Sequence, residues 1–357
     1  MRCPPVCLTQ GLGNLGHFEV AGLEYHEQSR RLRQGKQMTI VENERASRFP
    51  DAELKARAAW HYYVEGLTQE RISEILGVGR IKVHRILSAA REEGVVQFRI
   101  RDSVVECVIL EESLKQRFGL SQAVVVPSAA DRSNAPLMIG HAAAAYLADH
   151  VNAGDVIALG WGRTLKFAIN ELPRRPIART TVVSMLGGLT HAQPLNPTES
   201  AWDFAEKIGA ECFLLPVPVY ADRPEQRDAF MSQRSVQDVV FRARRANIAV
   251  LSVGSFSNDS PIANYGFIKP SELEELQAAG AVGDILCHFI DAEGRPVDHE
   301  VNRRVCAYPL QDLSDIPSII LVSGGSEKVA VMRAALANTK VSVLITDEDA
   351  AKGLLNR

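Results

Sequence analysis

Cysteines are few and scattered in this chain. The six cysteines, at positions 3, 7, 107, 212, 287 and 306, form no C-x-x-C pair, and no Cys/His group has the spacing of a zinc site. We therefore predict reduced thiols in a cytosolic protein, with neither a metal site nor a bound cofactor.

Long apolar runs are also missing. No stretch approaches the roughly 20 apolar residues that a membrane helix needs, and the N-terminus lacks the apolar core of a signal peptide. We expect a cytoplasmic protein that does not bind a membrane.

The chain contains no nucleotide fingerprint of the G-x-G-x-x-G or Walker type, no low-complexity segment and no fixed-period repeat. What it has is ordinary for a globular protein: 357 residues, 46% hydrophobic and 23% charged, with a net charge of -3. That length is enough for two domains. The small net charge does not by itself indicate nucleic acid, although it can hide a local basic surface.

Residues 1–50 show little hydrophobic periodicity and mix Gly, Gln and Arg. Such a segment cannot bury enough apolar surface to offset its ordering entropy. We expect either a disordered basic arm or an extension that is not native, with translation starting at Met38.

Residues 51–101 carry a compact helical pattern. Apolar spacing predicts helices over 52–65, 69–76 and 80–93 and a short strand over 95–100, with Thr68 capping the second helix. Gly77 falls where a tight turn needs positive φ. The residues at the other constrained positions of a helix-turn-helix are suitably small or apolar: Ile72, Ser73, Leu76, Val78, Val83 and Ile86. We predict an all-α helix-turn-helix domain.

The third predicted helix has a basic face. Between Gly79 and Arg91 there are four basic residues and no acidic one. Side chains at the start of such a helix enter the major groove, where Arg and Lys pair with guanine or neutralise phosphates. We predict that double-stranded operator DNA is contacted by Thr68, Gln69, Arg80, Lys82, His84 and Arg85.

Residues 102–357 alternate between strand-like and helix-like segments. β-Branched runs predict strands over 123–126, 156–159, 181–186, 248–253, 284–290, 319–322 and 341–345. Between them, helices are predicted over 137–150, 198–207, 233–245, 271–279 and 327–337. This alternation predicts an α/β domain with a mostly parallel sheet covered on both faces.

Glycine-bearing turns follow three of these strands. They are Gly160-Trp161-Gly162-Arg163-Thr164, Gly187-Gly188 and Gly324-Gly325-Ser326-Glu327-Lys328. Ligands of open α/β sheets sit beyond the carboxyl ends of strands, where glycine lets backbone N–H groups approach an oxyanion. Glycines in such turns often serve geometry alone, so each turn is weak evidence, but together they favour a shared ligand site.

Residues 52–356 resemble the SorC family of sugar-responsive bacterial regulators. The first part of the likeness is "GLTQERISEILGVGRIKVHRILSAAREEGVV". The second consists of "LGWGRTL", "LGGL", "SVGS", "GDILCHFIDAEG", "NRRV", "GGSEKVAVMRAAL" and "LITDEDAAKGLL" in that order. The likeness is nearest to regulators of erythritol-type polyol catabolism.

This resemblance implies a fold related to sugar-phosphate isomerases and CoA transferases. It also implies a dimeric or tetrameric repressor or activator whose effector is a sugar, a polyol or a sugar phosphate. Carried over to this chain, the effector contacts are Gly160, Gly162, Thr164, Gly187, Gly188, Gly254, Ser255, Asp284, Gly324, Gly325 and Lys328. His288 replaces a residue that is basic in many relatives, and Gly79 replaces a common capping serine.

Two other functions are compatible with the residues. The first is a sugar-phosphate isomerase-like enzyme with an appended DNA-binding module, which needs a general base and a group that polarises the carbonyl. Candidates by residue type are His191, Asp222, Glu225, Asp284 and His288, but no compact motif joins them, and we predict no catalytic residue. The second is an interaction protein whose basic helix binds acidic partners.

Overall fold

A computed structural model describes residues 18–20, 50–98, 104–129, 131–189, 195–256, 262 and 268–356. The chain divides into two compact units, Met1–Asp102 and Ser103–Arg357. Apart from 18–20 and 50, the N-terminal segment about which we predicted disorder or a non-native start lies outside the described residues.

The N-terminal unit is helical, as predicted. It contains α1 (Asp51–Ala59), a π-helical turn (Trp60–Val64), α2 (Gln69–Leu76) and α3 (Arg80–Glu92). Strand β1 (Phe18–Val20) pairs antiparallel with β2 (Val96–Phe98).

One side of each helix in this unit forms a small core. The buried side chains are Leu54, Ala58, Ile72, Leu76, Val78, Val83, Ile86 and Leu87. Lys55 pairs with Glu93 at 2.7 Å between Nζ and Oε1, which ties α1 to the end of α3. The outer face of α3 takes no part in this core.

A seven-stranded parallel sheet forms the centre of the second unit. Its strands are β3 (Gln122–Val126), β4 (Val156–Leu159), β5 (Thr181–Gly188), β6 (Glu211–Pro218), β7 (Ile248–Leu251), β11 (Ser318–Val322) and β12 (Val343–Asp347). The spatial order is β3-β12-β11-β7-β4-β5-β6, and every described pairing is parallel. The predicted α/β class with a mostly parallel sheet is confirmed.

Helices cover both faces of this sheet. They are α4 (Val104–Phe118), α5 (Ala135–His150), α6 (Arg163–Glu171), α7 (Pro197–Ile208), α8 (Pro224–Met231), α9 (Arg234–Arg244), α10 (Pro270–Ala278), α11 (Glu300–Arg303), α12 (Val329–Asn338) and α13 (Glu348–Leu355). Short 3-10 turns span Arg132–Asn134, Leu310–Asp315 and Ser326–Lys328. Apolar side chains of the sheet divide between two core clusters, one on each face, because successive residues of a strand point to opposite sides.

Two predicted strands are wrong in extent. The span 284–290 is a hairpin of β9 (Gly283–Ile285) and β10 (His288–Ile290), with Leu286 and Cys287 at positive φ in its turn. The span 248–253 divides into β7 and β8 (Val253–Gly254), and β8 leaves the large sheet to pair with β9. Apolar composition is the same in all these pieces and does not reveal the break.

Strand β6 was not predicted. Its sequence contains Pro216 and Pro218, which cannot donate a ladder hydrogen bond. The structure places β6 at the edge of the sheet, where this loss is tolerated.

Within the part of the chain that the structure describes, no helix has both the length and the apolar character to cross a membrane. Cys107, Cys212, Cys287 and Cys306 are unbridged, whereas Cys3 and Cys7 lie outside the described residues.

Candidate functional site

The turn between α2 and α3 is three residues long. Gly77 ends α2 with φ 65°, and the N–H of Val78 donates to the Ser73 carbonyl at 3.1 Å. Gly79 then precedes α3 with extended backbone. Val78 is buried between these glycines, which holds the two helices at a close crossing.

Most of the residues predicted to contact DNA lie on one surface. Arg80, Lys82, His84 and Arg85 are all exposed on α3, opposite the buried Val83 and Ile86. Among the described residues, no ion pair engages Arg80, Lys82 or Arg85. At the start of α2, exposed Thr68 accepts the Arg71 N–H at 3.3 Å, and Gln69 is half-buried. The outer face of α3 therefore carries cations that are available to a polyanion.

The strand order of the large sheet reverses between β4 and β7. From β4 the chain moves outward through β5 to β6, and from β7 it moves the other way through β11 to β12. Loops that leave such a switch point in opposite directions open a crevice at the carboxyl ends of the strands. The loop after β4 contains Gly160 and Gly162, and the strand after β7 leads to Gly254 and Ser255.

Gly160 and Gly162 lie where there is little room for a side chain. The N–H of Gly160 donates to the Val250 carbonyl at 2.9 Å. A Cβ on Gly160 would lie 3.3 Å from Leu286 Cδ2, and one on Gly162 would lie 3.3 Å from Ser252 Cβ. Gly162 also has φ 141°, which disfavours any other residue. These glycines bring the β4 loop against the β7 loop and the β9–β10 turn.

Gly254 and Asp284 face each other across the antiparallel pair of β8 and β9. The Asp284 carboxylate is 6% exposed, and its Oδ2 accepts the Cys287 N–H at 3.2 Å. Burial raises the pKa of Asp284 to about 6, while the Cys287 hydrogen bond and the charge of Lys328 oppose this increase. Asp284 is thus a buried carboxyl group that holds its proton more tightly than an exposed aspartate does.

Lys328 brings a positive charge to the same crevice. Burial lowers the pKa of this half-buried lysine, and the neighbouring Arg163 lowers it further, while Glu327, Asp284 and Asp347 raise it. The loop before it is fixed by Asp347, whose Oδ1 accepts the Gly325 N–H at 3.2 Å and the Ala350 N–H at 2.9 Å. The crevice therefore contains charges of both signs.

Three of the predicted effector residues are closely packed or buried. A Cβ on Gly187 would lie 2.4 Å from the Val217 carbonyl oxygen, so close approach of β6 requires this glycine. A Cβ on Gly188 would touch Thr198 at 3.0 Å. Thr164 is 2% exposed on α6. No described contact brings these residues to Asp284 or Lys328.

The sequence reasoning missed four polar residues at these strand ends. Arg163 and Asp347 join the charged cluster described above. Ser323 Oγ and Thr346 Oγ1 are fully buried, and neither has a hydrogen-bond partner among the described residues. Ser323 directly follows β11, and Thr346 lies near the end of β12. A polar residue at the carboxyl end of a strand was therefore the signal that could have identified them.

The candidate acid–base residues of the enzyme alternative do not form a described cluster. Asp222 and Glu225 are exposed, and His191 lies outside the described residues. Burial lowers the pKa of His288 to about 4, and its Nδ1 lies 3.1 Å from the Leu286 carbonyl oxygen. His288 is therefore neutral near pH 7 and does not supply the positive charge that many relatives were expected to have there.

A protein-family model described as "Putative sugar-binding domain" matches residues 102–356. The chain is 33% identical over 309 residues to the erythritol catabolism regulatory protein EryD of Brucella abortus, covering 86% of this chain and 98% of that protein. It is 30% identical over 306 residues to the deoxyribonucleoside regulator of Bacillus subtilis, covering 85% and 97%.

The fold is similar to that of solved regulators. The full-length sorbitol operon regulator SorC from Klebsiella pneumoniae matches with a TM-score of 0.64 and 27% identity, covering 86% of this chain and 99% of that one. A sugar-binding domain of a transcriptional repressor from Vibrio fischeri matches with a TM-score of 0.65 and 26% identity, covering 70% and 98%. The predicted resemblance to SorC-type regulators is confirmed.

Proposed function

This chain belongs to the sugar-binding-domain family of SorC-type transcriptional regulators, and from that premise we propose that it binds operator DNA through α2 and α3 under the control of a small effector. Its relatives are regulators rather than enzymes, so regulation is favoured over the isomerase-like alternative. The effector is a sugar, a polyol or a sugar phosphate, bound at the carboxyl ends of the large sheet.

The outer face of α3 supports the proposal that this protein binds DNA. The three-residue turn, the αL glycine and the buried Val78 are the features that a helix-turn-helix requires. Arg80, Lys82, His84 and Arg85 face outward beside it, with Thr68 and Gln69 at the start of α2. A helix with this many unpaired cations suits the major groove, where phosphates and guanine edges lie within reach.

The charged crevice supports the proposal that this protein binds an effector. The charges of Asp284 and Arg163 both act on Lys328, near the point where the strand order reverses. A carboxylate accepts hydrogen bonds from the hydroxyl groups of a sugar or polyol, and a lysine pairs with a phosphate. Gly160, Gly162, Gly254, Ser255, Gly324 and Gly325 provide the surrounding loops.

Two effector classes fit this crevice. Lys328 and Arg163 together would suit a phosphate, since the charge of Arg163 acts on Lys328 and both side chains are cationic. A free polyol needs only the hydroxyl-binding groups, and one similar protein is named for erythritol catabolism. Lys328→Ala separates the classes: it weakens the response to a phosphorylated effector and leaves the response to a free polyol nearly unchanged.

We also propose a cytoplasmic homo-oligomer, a dimer or a tetramer. Helix-turn-helix proteins commonly bind two half-sites as dimers. Helix α4 places Val105, Val108 and Ile109 outward, 73%, 47% and 60% exposed, at a spacing that aligns them on one face. An apolar face of this kind suits contact with a second copy. The relation to isomerases and CoA transferases belongs to the same proposal.

Two measurements test the function. A thermal-shift panel of sugars, polyols and their phosphates identifies compounds that bind the native state, because such binding raises the melting temperature. An anisotropy titration of the full-length protein on its own promoter region, with and without those compounds, then tests the coupling. We expect salt-sensitive, sequence-specific binding that the effector changes. Binding of neither DNA nor any compound would refute the proposal.

A further inference from the structure

Ile81 lies at the second position of α3 with 74% of its surface exposed. No other large hydrophobic side chain in the described part of the chain is more exposed. Its neighbours along the chain, Arg80 and Lys82, are exposed cations. An isoleucine in that setting is unusual, because β-branched side chains neither favour helices nor gain from contact with water.

Helical periodicity places Ile81 on the outward face. The buried side of α3 consists of Val83, Ile86, Leu87 and Ala90. Ile81 shares the opposite side with His84, Arg85 and Ser88, which are three, four and seven residues further on. Ile81 is therefore not part of the small core of this unit, and it lies among side chains that face outward.

We propose that Ile81 contacts the C5-methyl group of a thymine in the major groove and thereby selects a T·A pair over a C·G pair at one operator position. This inference rests on the proposed DNA binding. The thymine methyl is the one apolar group that the bases display in that groove, and an alkyl side chain cannot bond to phosphate or to the polar base edges. The cations on the same helix provide affinity, whereas Ile81 provides discrimination.

The alternative is that Ile81 contacts a partner protein instead of DNA. The residues around Ile81 favour DNA, because a second copy docked on this face would have to shield Arg80, Lys82 and Arg85 from water. Burying cations without partners is unfavourable, while DNA pairs them with phosphates.

Removal of single methyl groups from the operator tests the proposal. The full-length protein first selects its binding site from a pool of random duplexes. Each thymine of that site is then replaced in turn by deoxyuridine, which lacks only the methyl group. We expect one thymine per half-site at which this replacement weakens wild-type binding about three- to fivefold, the effect of losing one buried methyl group.

Ile81→Ala should abolish the uridine effect at that thymine alone, and Ile81→Val should retain part of it. The matched control is Ile75→Ala, which truncates the same residue type, 45% exposed, on α2. That variant should keep the full uridine effect. Unchanged melting temperatures exclude misfolding as the cause.

Three results would overturn the proposal. Ile81→Ala could retain the wild-type uridine effect at every thymine, or no thymine could show one. Ile81→Ala could also change the oligomeric state in sedimentation, which would assign the side chain to a protein contact. Failure of the wild-type protein to select any duplex is a different result, since it refutes the proposed DNA binding itself.

Discussion

The Asp284 carboxylate lies against the Cα of Gly254 so closely that a Cβ on Gly254 would be 2.1 Å from Asp284 Oδ1. This contact joins the loop after β7 to the small antiparallel sheet. It positions a buried carboxylate at the switch point of the large sheet, and it makes the position of that carboxylate sensitive to a single methyl group.

Gly254→Ala should displace Asp284 and weaken effector binding at least tenfold. The added methyl cannot share space with the carboxylate, so one of the two must move. Calorimetric titration with the compound identified in the thermal-shift panel measures the loss, and DNA binding without effector should be unchanged. Wild-type affinity in this variant would remove Asp284 from the effector site.

Asp284 should also make folding stability depend on pH. Its pKa of about 6 exceeds the ordinary 3.8, so the folded protein holds the proton more tightly than the unfolded chain. The group therefore favours the folded state below about pH 4, and this contribution is lost as the pH rises to about 6, by up to about 3 kcal/mol. Urea unfolding at pH 4, 5 and 7 should show this difference between wild type and Asp284→Asn. The same dependence of the free energy of unfolding on pH in the two proteins would contradict this prediction.

Lys82→Ala and Arg85→Ala should each weaken operator binding while leaving effector-induced stabilisation intact. If the lost cation neutralises a phosphate, the slope of log Kd against log salt falls by about one. Anisotropy titrations at several salt concentrations measure both the Kd for the operator and its dependence on salt. Lys340→Ala, which removes an exposed cation from the other unit, is the control and should bind like wild type.

Gly79→Ser should stabilise the N-terminal unit by a few tenths of a kcal/mol. Gly79 has φ -66° and ψ 150°, its Cβ position is open, and a serine there can cap α3. Gly77→Ala should instead destabilise by about 1 kcal/mol, because φ 65° disfavours a side chain although the space is open. Denaturant unfolding distinguishes the two, and equal effects would contradict the assigned backbone geometry.

Ile109→Glu should shift the protein toward smaller oligomers. A charge on the exposed apolar face of α4 would be costly to bury against a second copy. Sedimentation velocity measures the change. Phe241→Glu, at a residue that is 56% exposed on α9, is the matched control and should sediment like wild type.

Helices and strands were predicted best where a single local feature of the sequence, such as an apolar run or a capping residue, was enough to identify them. Strands β4, β11 and β12 are largely buried and consist mostly of Val, Ile and Leu, and such apolar runs belong to central parallel strands. Helix α2 was predicted at its observed bounds, because Thr68 caps one end and Gly77 terminates the other. Strand β6 was not predicted because of its prolines, and helices α4, α6, α8, α11 and α13 were also not predicted.

The candidate site was less predictable. Gly162, Gly254 and Lys328 come from separate loops, and the sequence placed each at a strand end without showing which ones meet. Asp284 was predicted as an effector contact only through the family resemblance, and by residue type only as an acid–base candidate. Its role against Gly254 depends on the turn at Leu286 and Cys287, where neither residue is glycine.

The sequence alone predicted the parallel α/β unit, the helical unit before it and the basic face of α3, since each depends on periodicity or on a nearby residue. The class of protein followed from the family resemblance. Tertiary structure decided that Gly187 packs against β6, that Asp284 lies against Gly254, and that Ile81 points away from the core. Those facts depend on which loops the strand order brings together and which face of a helix the core covers. Distances between residues far apart in the chain are set by packing, and a linear pattern does not contain them.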